Sequence, residues 1–288
     1  MADIQGTNPK LPVELEREAF MLAAYNAQIR DIPSLIHVAR RVRFWVTPIL
    51  YRSFAICRSN LVGECHPLRR TPDEFASMVF SSPSVITQHI RDLWINTSVE
   101  SIRLRQLIAA CSRIETLWIS NNLVPGILPV LAQMPLQRLS IHLGRLFGAL
   151  KIDFGHPIFS RLTHLNVLDC SSPTPEAWEE SWTGLFELPC LTHLAFQDIF
   201  SGPIVRDILA QSRNLRLLIL KSYDDTFRHG EIMPFATDDV RCVVMVVKNS
   251  LKDWEAGVVD RADYWTKAEE FSKKRRTGEV EAAAYIEA

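Results

Sequence analysis

The stretch LTHLNV at residues 162–167 recurs as LTHLAF at residues 191–196. Five more segments carry apolar residues at the same relative positions 1, 4 and 6, and they start at residues 90, 114, 136, 215 and 240. Consecutive starts are roughly 25 residues apart, a spacing typical of stacked structural repeats. Alternation over positions 3 to 7 predicts a short strand whose positions 4 and 6 point into a core. Since one such strand cannot bury its apolar face alone, the seven units are predicted to stack into a parallel sheet.

This order and spacing resemble leucine-rich repeats, whose unit is L-x-x-L-x-L-x-x-N/C-x-L and whose period is about 20 to 29 residues. Position 9 holds the residues preferred by the family in two units, Asn122 and Cys170. The resemblance implies an α/β fold in which residues 90–250 form a curved solenoid with parallel strands. The returning segments are predicted to be helical at residues 99–112 and 203–212.

Residues 11–54 precede the repeats and have a helical rather than an alternating pattern. A first helix is predicted to start near Pro12 and to carry Leu15 and Phe20 on one face. A second helix is predicted from Ile32 to about residue 46, and Pro48 is expected to stop it.

The same residues resemble an F-box. The opening of that family matches LPVEL at residues 11–15, and its second half matches DI at residues 31–32, VARR at residues 38–41 and the aromatic residue Trp45. Residues 24–30 depart from the family, because its usual leucine is missing there. Repeats follow this stretch, as in F-box/leucine-rich-repeat proteins of the type that is numerous in fungi.

The resemblance implies a substrate-receptor adaptor of an SCF-type ubiquitin ligase, in which the F-box docks on a Skp1-type subunit of a cullin complex and the repeats hold a protein substrate. The docking residues carried over by position are Leu11, Pro12, Leu15, Phe20, Leu35, Val38 and Trp45. Two alternatives stay open: the helical unit is only a cap that packs on the first repeat, or the repeats form an interaction scaffold without ligase coupling. The chain is expected to be a monomer outside such a complex.

The strand positions that point away from the core are the predicted recognition surface. Trp94 and Trp118 share position 5 in adjacent strands, and beside Arg138 they have the composition of a binding hot spot. Alternatively, a returning loop or the C-terminal tail covers the two tryptophans. His164 and His193 share position 3 in successive strands, about 5 Å apart. Two ligands alone rarely hold a metal, so a solvated histidine ladder that contributes to partner binding is predicted.

The ends of the chain differ in composition from the repeats. Charged residues are denser in residues 251–288 than in the chain as a whole, where they make up 23%. Apolar residues recur there at helical spacing around Trp265, which predicts a helix that caps the open end of the solenoid. The basic run at residues 273–276 is either a nuclear import signal or the solvated last turn of this helix. Residues 1–10 are expected to be a flexible tail and residues 55–89 a connector.

Composition argues against several classes of function. The 32 Lys and Arg residues balance 33 Asp and Glu residues, so neither nucleic acid nor an anionic membrane is an expected partner. The first ten residues lack the features of a secretion signal, which predicts a cytoplasmic or nuclear protein.

No catalytic motif is complete in the sequence. The triplet DFG at residues 153–155 lacks the other kinase motifs and is predicted to be a turn. An enzyme would need a pocket with paired titratable groups, and the sequence shows none. The chain is therefore not expected to be an enzyme, and no metal or cofactor is expected.

Overall fold

The computed structural model describes residues 11–26, 31–58, 68–81, 83–97, 101–120, 125–148, 151–169, 178, 180, 182–197, 202–223, 239–281 and 286–287. The predicted tail at residues 1–10 lies outside these residues. Within them the fold is of the α/β class, with helices around one parallel sheet. None of the helices described has the length and the apolar character that a bilayer-spanning segment needs.

The N-terminal unit consists of α1 (Val13–Asn26), α2 (Ile32–Leu35) and α3 (Arg40–Leu50), which share a core of their own. The prediction of one continuous second helix is wrong, because extended backbone at Ala39 separates α2 from α3. Pro48 does not stop α3 either. It lies in the last turn, where the Tyr51 N–H still donates to the Thr47 carbonyl at 3.1 Å.

The ten strands that the structure describes are parallel, and they follow the spatial order β10-β9-β8-β7-β6-β5-β4-β3-β1-β2. Strands β3 to β9 come from the seven predicted segments, so the prediction of a parallel α/β sheet at these positions is confirmed. The bounds of the strands are β1 Ser53–Cys57, β2 Arg69–Arg70, β3 Asp92–Asn96, β4 Thr116–Ile119, β5 Arg138–Ile141, β6 His164–Val167, β7 His193–Gln197, β8 Leu217–Ser222, β9 Cys242–Val246 and β10 Ile286–Glu287.

The register of the sheet places the position-4 leucines of the first six units in one row. Leu93 pairs with Leu117, and the row continues through Leu139, Leu165, Leu194 and Leu218. The seventh unit is shifted by one residue from its predicted register, since Leu218 pairs with Cys242 rather than with Val243. Both faces of β9 are apolar, so alternation alone does not fix its register.

The prediction that residues 55–89 are only a connector is wrong. Strand β1 begins at Ser53 and pairs with β3, so the boundary placed after residue 54 falls inside a strand. Strand β2 and the helices α4 (Pro72–Ser81) and α5 (Pro83–Ile86) follow it. Phe54 and Ile56 point into the main core beside Phe75 of α4, so this region is part of the sheet and its cover.

The first face of the sheet packs on the returning segments. These include α6 (Ser101–Ala110), α7 (Leu128–Leu131), α8 (Leu143–Leu146) and α9 (Gly202–Gln211), together with 3₁₀ turns at Pro125–Ile127, Pro157–Phe159 and Thr183–Glu187. Their apolar side chains and the leucine row form one continuous core. Helices α6 and α9 lie at the two predicted helical returns.

The second face of the sheet is covered by α10 (Ser250–Asp260) and α11 (Tyr264–Thr277). The side chain of Asn249 caps the start of α10, and the side chain of Asp263 caps the start of α11. The prediction that residues 251–288 cap the open end of the repeats is thus wrong for both helices. Among the described residues of this segment, β10 lies at that end, paired with β9. Apart from Lys221, the second face of β8 and β9 is apolar, and helices that bury it remove that area from water.

Candidate functional site

The N-terminal unit carries an exposed apolar surface. Eleven large apolar side chains are exposed among the residues that the structure describes, and seven of them lie on this unit. Phe44 is the most exposed, at 79%. The seven side chains, called the N-terminal apolar surface below, are Leu11, Val13, Leu15, Leu22, Tyr25, Val38 and Phe44.

The predicted docking residues divide into two groups. Phe20, Leu35 and Trp45 are partly buried and pack on the core of the N-terminal unit. The exposed ones are Leu11, Pro12, Leu15 and Val38. Phe44 and Leu22 were not among the predicted docking residues, because helical periodicity alone does not show which face of a small three-helix unit is left uncovered.

The N-terminal unit has a hydrophobic core of its own. Its core, centred on Val42 and Val46, is a cluster separate from the core of the sheet. The Arg41 guanidinium donates to Glu16 Oε1 at 2.8 Å and links α3 to α1. This arrangement differs from a cap whose apolar stripe is buried against the first repeat.

Trp94 and Trp118 stand side by side, as their shared strand position predicts. Their ring centroids are 4.5 Å apart and the rings are inclined by only 10°. The prediction that the pair is exposed is wrong: Trp94 is 1% and Trp118 is 8% exposed. Leu251 and Trp254 of α10 pack against the pair, so the alternative of a covering C-terminal segment is the one observed. The two tryptophans therefore cannot form an open partner-binding surface.

His164 and His193 also stack, with ring centroids 4.1 Å apart. The edge of Trp265 meets both rings, and His193 Nε2 lies 2.7 Å from Glu269 Oε1. Burial, aided by Arg138 and the neighbouring histidine, lowers the pKa of His164 to about 2, and burial also lowers the pKa of His193. The predicted solvated ladder is thus wrong, because α11 covers it.

No group of three His, Cys, Asp or Glu side chains placed to hold a metal occurs among the residues that the structure describes.

The basic run at residues 273–276 lies in the last turn of α11, and its members differ in exposure. Lys273 and Lys274 are exposed, whereas Arg275 is buried and donates to the Cys242 carbonyl at 2.7 Å. The nuclear import signal stays a prediction.

A cleft of about 1250 Å³ opens between the N-terminal unit, the beginnings of the strands and the turn from α10 to α11. Leu22 and Tyr25 of α1 form one wall, and Val258 and Val259 of α10 contribute to the opposite one. The floor carries ion pairs, among them Arg138 Nη1 with Asp263 Oδ2 at 3.0 Å.

Charged groups are also buried where α10 meets the sheet. Arg69 of β2 donates to both carboxylate oxygens of Glu255, at 2.7 and 2.9 Å. Lys221 of β8 is 3% exposed and lies 4.5 Å from the centroid of the Tyr264 ring. Asp253 of α10 is 6% exposed and accepts a hydrogen bond from the Tyr264 N–H at 3.1 Å. None of these buried charged groups could be recognised from the sequence, because Lys, Arg, Asp and Glu side chains usually face water.

Of the predicted partner-binding residues, Arg138 and His164 line the cleft, whereas Trp94 and His193 do not. Trp118 reaches the cleft with its small exposed part. The N-terminal apolar surface and the cleft, which share Leu22 and Tyr25, are therefore the candidate binding surfaces considered among the described residues. No protein-family model and no curated protein matches this chain.

Proposed function

We propose that this chain is a substrate-receptor adaptor of an SCF-type ubiquitin ligase, built as an F-box-like unit followed by a leucine-rich-repeat solenoid. The regular spacing of the repeat strands, the chain-ordered parallel pairing and the single leucine row support the repeat assignment. The adaptor catalyses no ubiquitin transfer. It raises the effective concentration of a bound substrate near the transferring enzyme.

The observation that carries this proposal is the N-terminal apolar surface. Large apolar side chains that are exposed together mark protein-binding sites, because leaving them in water is unfavourable. Leu11, Leu15 and Val38 are each 50% to 60% exposed, and all three are docking residues by resemblance to the F-box. Since the unit has a core of its own, a Skp1-type subunit can cover these side chains without unfolding it.

Because the tryptophan pair is buried, we propose the cleft as the substrate-binding site instead. Arg138 is the predicted partner-binding residue with the most accessible side chain, at 43%, and it lies on the cleft floor. The wall residues Leu22 and Tyr25 are 62% and 56% exposed. A protein segment with an apolar side chain and a carboxylate fits these neighbours.

The test is binding of the full chain to a recombinant Skp1-type subunit, measured by calorimetry. The docking variant carries Leu15→Asp and Val38→Asp. The matched control carries Phe80→Asp and Ile102→Asp, whose side chains are 53% and 67% exposed on α4 and α6. Each buried anchor of an interface contributes about 2 kcal/mol or more. The docking variant is therefore expected to bind at least about 100-fold more weakly than the control.

All four substitutions change exposed side chains, so urea unfolding of both variants is expected to match that of the unchanged chain. Equal binding by the docking variant and the control would place the contact elsewhere and contradict the proposal. If the unchanged chain does not bind the Skp1-type subunit at all, the scaffold without ligase coupling is the better description.

A further inference from the structure

Arg261 has an unusual backbone conformation at the end of α10. Its φ is 56° and its ψ is 30°, which lies in the left-handed region. Among the residues that the structure describes, it is the one non-glycine residue with a positive φ. An arginine is less stable there than a glycine, because its Cβ crowds the neighbouring carbonyl. The equivalent position at the end of α11 holds Gly278, with a φ of 74°.

The turn that follows α10 does not require the side chain of Arg261. The Ala262 N–H donates to the Ala256 carbonyl at 3.3 Å, so the backbone itself closes the turn. The Arg261 side chain is exposed, lines the cleft and forms no ion pair with the residues that the structure describes. Strained backbone conformations cluster at functional sites. The place of Arg261 therefore indicates that its guanidinium binds a group that enters the cleft.

Two further arginines of the cleft are more accessible than their carboxylate partners. The side chain of Arg52 is 52% exposed, against 13% for Asp92, to which it donates at 3.1 Å. The side chain of Arg138 is 43% exposed, against 15% for Asp263 at 3.0 Å. A guanidinium has five N–H donors, so a single bond of this kind leaves donors for a second carboxylate.

The acidic side chains of the cleft are mostly engaged. Asp263 accepts from the Thr266 N–H at 2.9 Å as the cap of α11. Glu115 lies 3.2 Å from Arg91. Asp260 is an exposed carboxylate beside Arg261. Since three arginines are accessible in the same cleft, its accessible charge is mainly cationic.

The spacing of the arginines suits an extended segment. Arg52 precedes Ser53, and the register row that begins at Ser53 reaches Arg138 in three steps between strands. Three steps of about 4.8 Å place the two arginines about 14 Å apart along the sheet. Four residues of an extended chain span about the same distance, and residues i, i+2 and i+4 share one side. An apolar residue at i+2 suits the wall that Leu22 and Tyr25 form.

We propose that the cleft binds an extended acidic segment of a protein partner, and that Arg261 makes the cleft selective for carboxylates. Carboxylates at positions i and i+4 of the segment pair with Arg138 and Arg52. Arg261 lies two residues before Asp263, the partner of Arg138, and so supplies a second cation near the first carboxylate. This inference rests on the proposed role of the cleft as the substrate-binding site, but it does not depend on docking to a Skp1-type subunit.

The test is binding of the full chain to fluorescein-labelled peptide pools, measured by fluorescence anisotropy. The probe pool is Glu-X-Leu-X-Glu-amide with X randomised, and the comparison pool carries Gln in place of both Glu residues. Because charge-assisted hydrogen bonds are about twice as strong as neutral ones, the Glu pool is expected to bind at least about 10-fold more tightly. A third pool has the Gln residues and a free C-terminal carboxylate. Equal binding of this pool and the Glu pool would contradict recognition of an internal acidic segment.

Variants test the role of Arg261. Arg261→Gln and Arg105→Gln each remove one positive charge, and Arg105 is exposed on α6, outside the cleft. Arg261→Gln is expected to weaken binding of the Glu pool at least about 10-fold, and Arg105→Gln less than about twofold. Arg261→Gly is expected to weaken binding to the same extent and to raise the urea midpoint, because glycine removes the backbone strain.

A lower urea midpoint for Arg261→Gly would show that the side chain has a structural role, and it would contradict the inference. Equal binding of the Glu and Gln pools, or equal binding by Arg261→Gln and Arg105→Gln, would also overturn it. All three variants are expected to bind the Skp1-type subunit like the unchanged chain. Failure of the peptide pools with normal binding of that subunit would therefore refute this inference alone.

Discussion

Replacement of Trp94 tests most directly whether the second face of the sheet is core or binding surface. The side chain is 1% exposed and stacks on Trp118 with ring centroids 4.5 Å apart. Truncation of a buried tryptophan to alanine costs about 3–5 kcal/mol, through lost transfer energy and the cavity that remains. An exposed tryptophan on an open face would cost less than about 0.5 kcal/mol. Trp94→Ala is therefore expected to lower the free energy of unfolding by about 3–5 kcal/mol.

The assay is urea unfolding followed by far-UV circular dichroism, which does not depend on the replaced fluorophore. Ile102→Ala is the control, because Ile102 is 67% exposed on α6. Trp118→Ala and the variant that carries both substitutions complete a double-mutant cycle. Stacked aromatic pairs contribute about 0.5–1.5 kcal/mol beyond their burial, so the double variant is expected to lose less than the sum of the single losses by that amount.

A further variant tests whether α10 covers Trp94 and Trp118. Leu251 of α10 belongs to the same buried cluster, so Leu251→Ala is expected to be coupled to Trp94→Ala. A loss below about 1 kcal/mol for Trp94→Ala would show that α10 does not bury the tryptophan, and the pair would again be a candidate recognition site.

Two further predictions concern buried charges beneath α10 and α11. Arg69→Met is expected to lower the free energy of unfolding by about 3–5 kcal/mol, because it removes the cation that donates to both oxygens of the buried Glu255 carboxylate, and adding Glu255→Leu is expected to restore most of it in urea unfolding. Folding lowers the pKa of Lys221 from 10.5 to about 7, so the unfolded chain takes up a proton first as the pH falls. The free energy of unfolding is thus expected to decrease from pH 10 to pH 7. Lys221→Met is expected to remove this pH dependence. An unchanged pH dependence in the variant would show that other groups cause it.

Those parts of the fold that depend on one apolar face could be predicted from the sequence. The leucine row from Leu93 to Leu218 follows from alternation, since the register that buries these leucines is the one that pairs them. Strand β1 carries the same signal, with apolar residues at Tyr51, Phe54 and Ile56. It was missed because the stretch of chain between it and the next unit is much longer than the regular spacing of the other units.

The candidate site could be predicted only in part. Stacking of Trp94 on Trp118 follows from their shared strand position, whereas their burial depends on Leu251, far along the chain. A local sequence pattern does not predict which face of the sheet is covered by a helix that is far away along the chain. Lys221 illustrates the same limit, since a single lysine at an outward position usually indicates water, and only the packing of α10 and α11 makes it a buried amine.

The last two repeat strands nevertheless carry a sign that the second face is covered. In β8 the run LLIL at residues 217–220, and in β9 the run CVVMV at residues 242–246, are apolar on both faces. Parallel strands with continuous apolar runs are buried on both sides, whereas a strand with one open face alternates. Strands β5 and β6 do alternate, with Ser140 and Asn166 on the second face. Helix α11 packs on the apolar second face of β8 and β9, whereas Arg138, Ser140 and His164 of β5 and β6 line the cleft. Within the part of the chain that the structure describes, Arg138 and His164 bring polar groups of the second face to the cleft, and we expect a partner of the sheet to bind there.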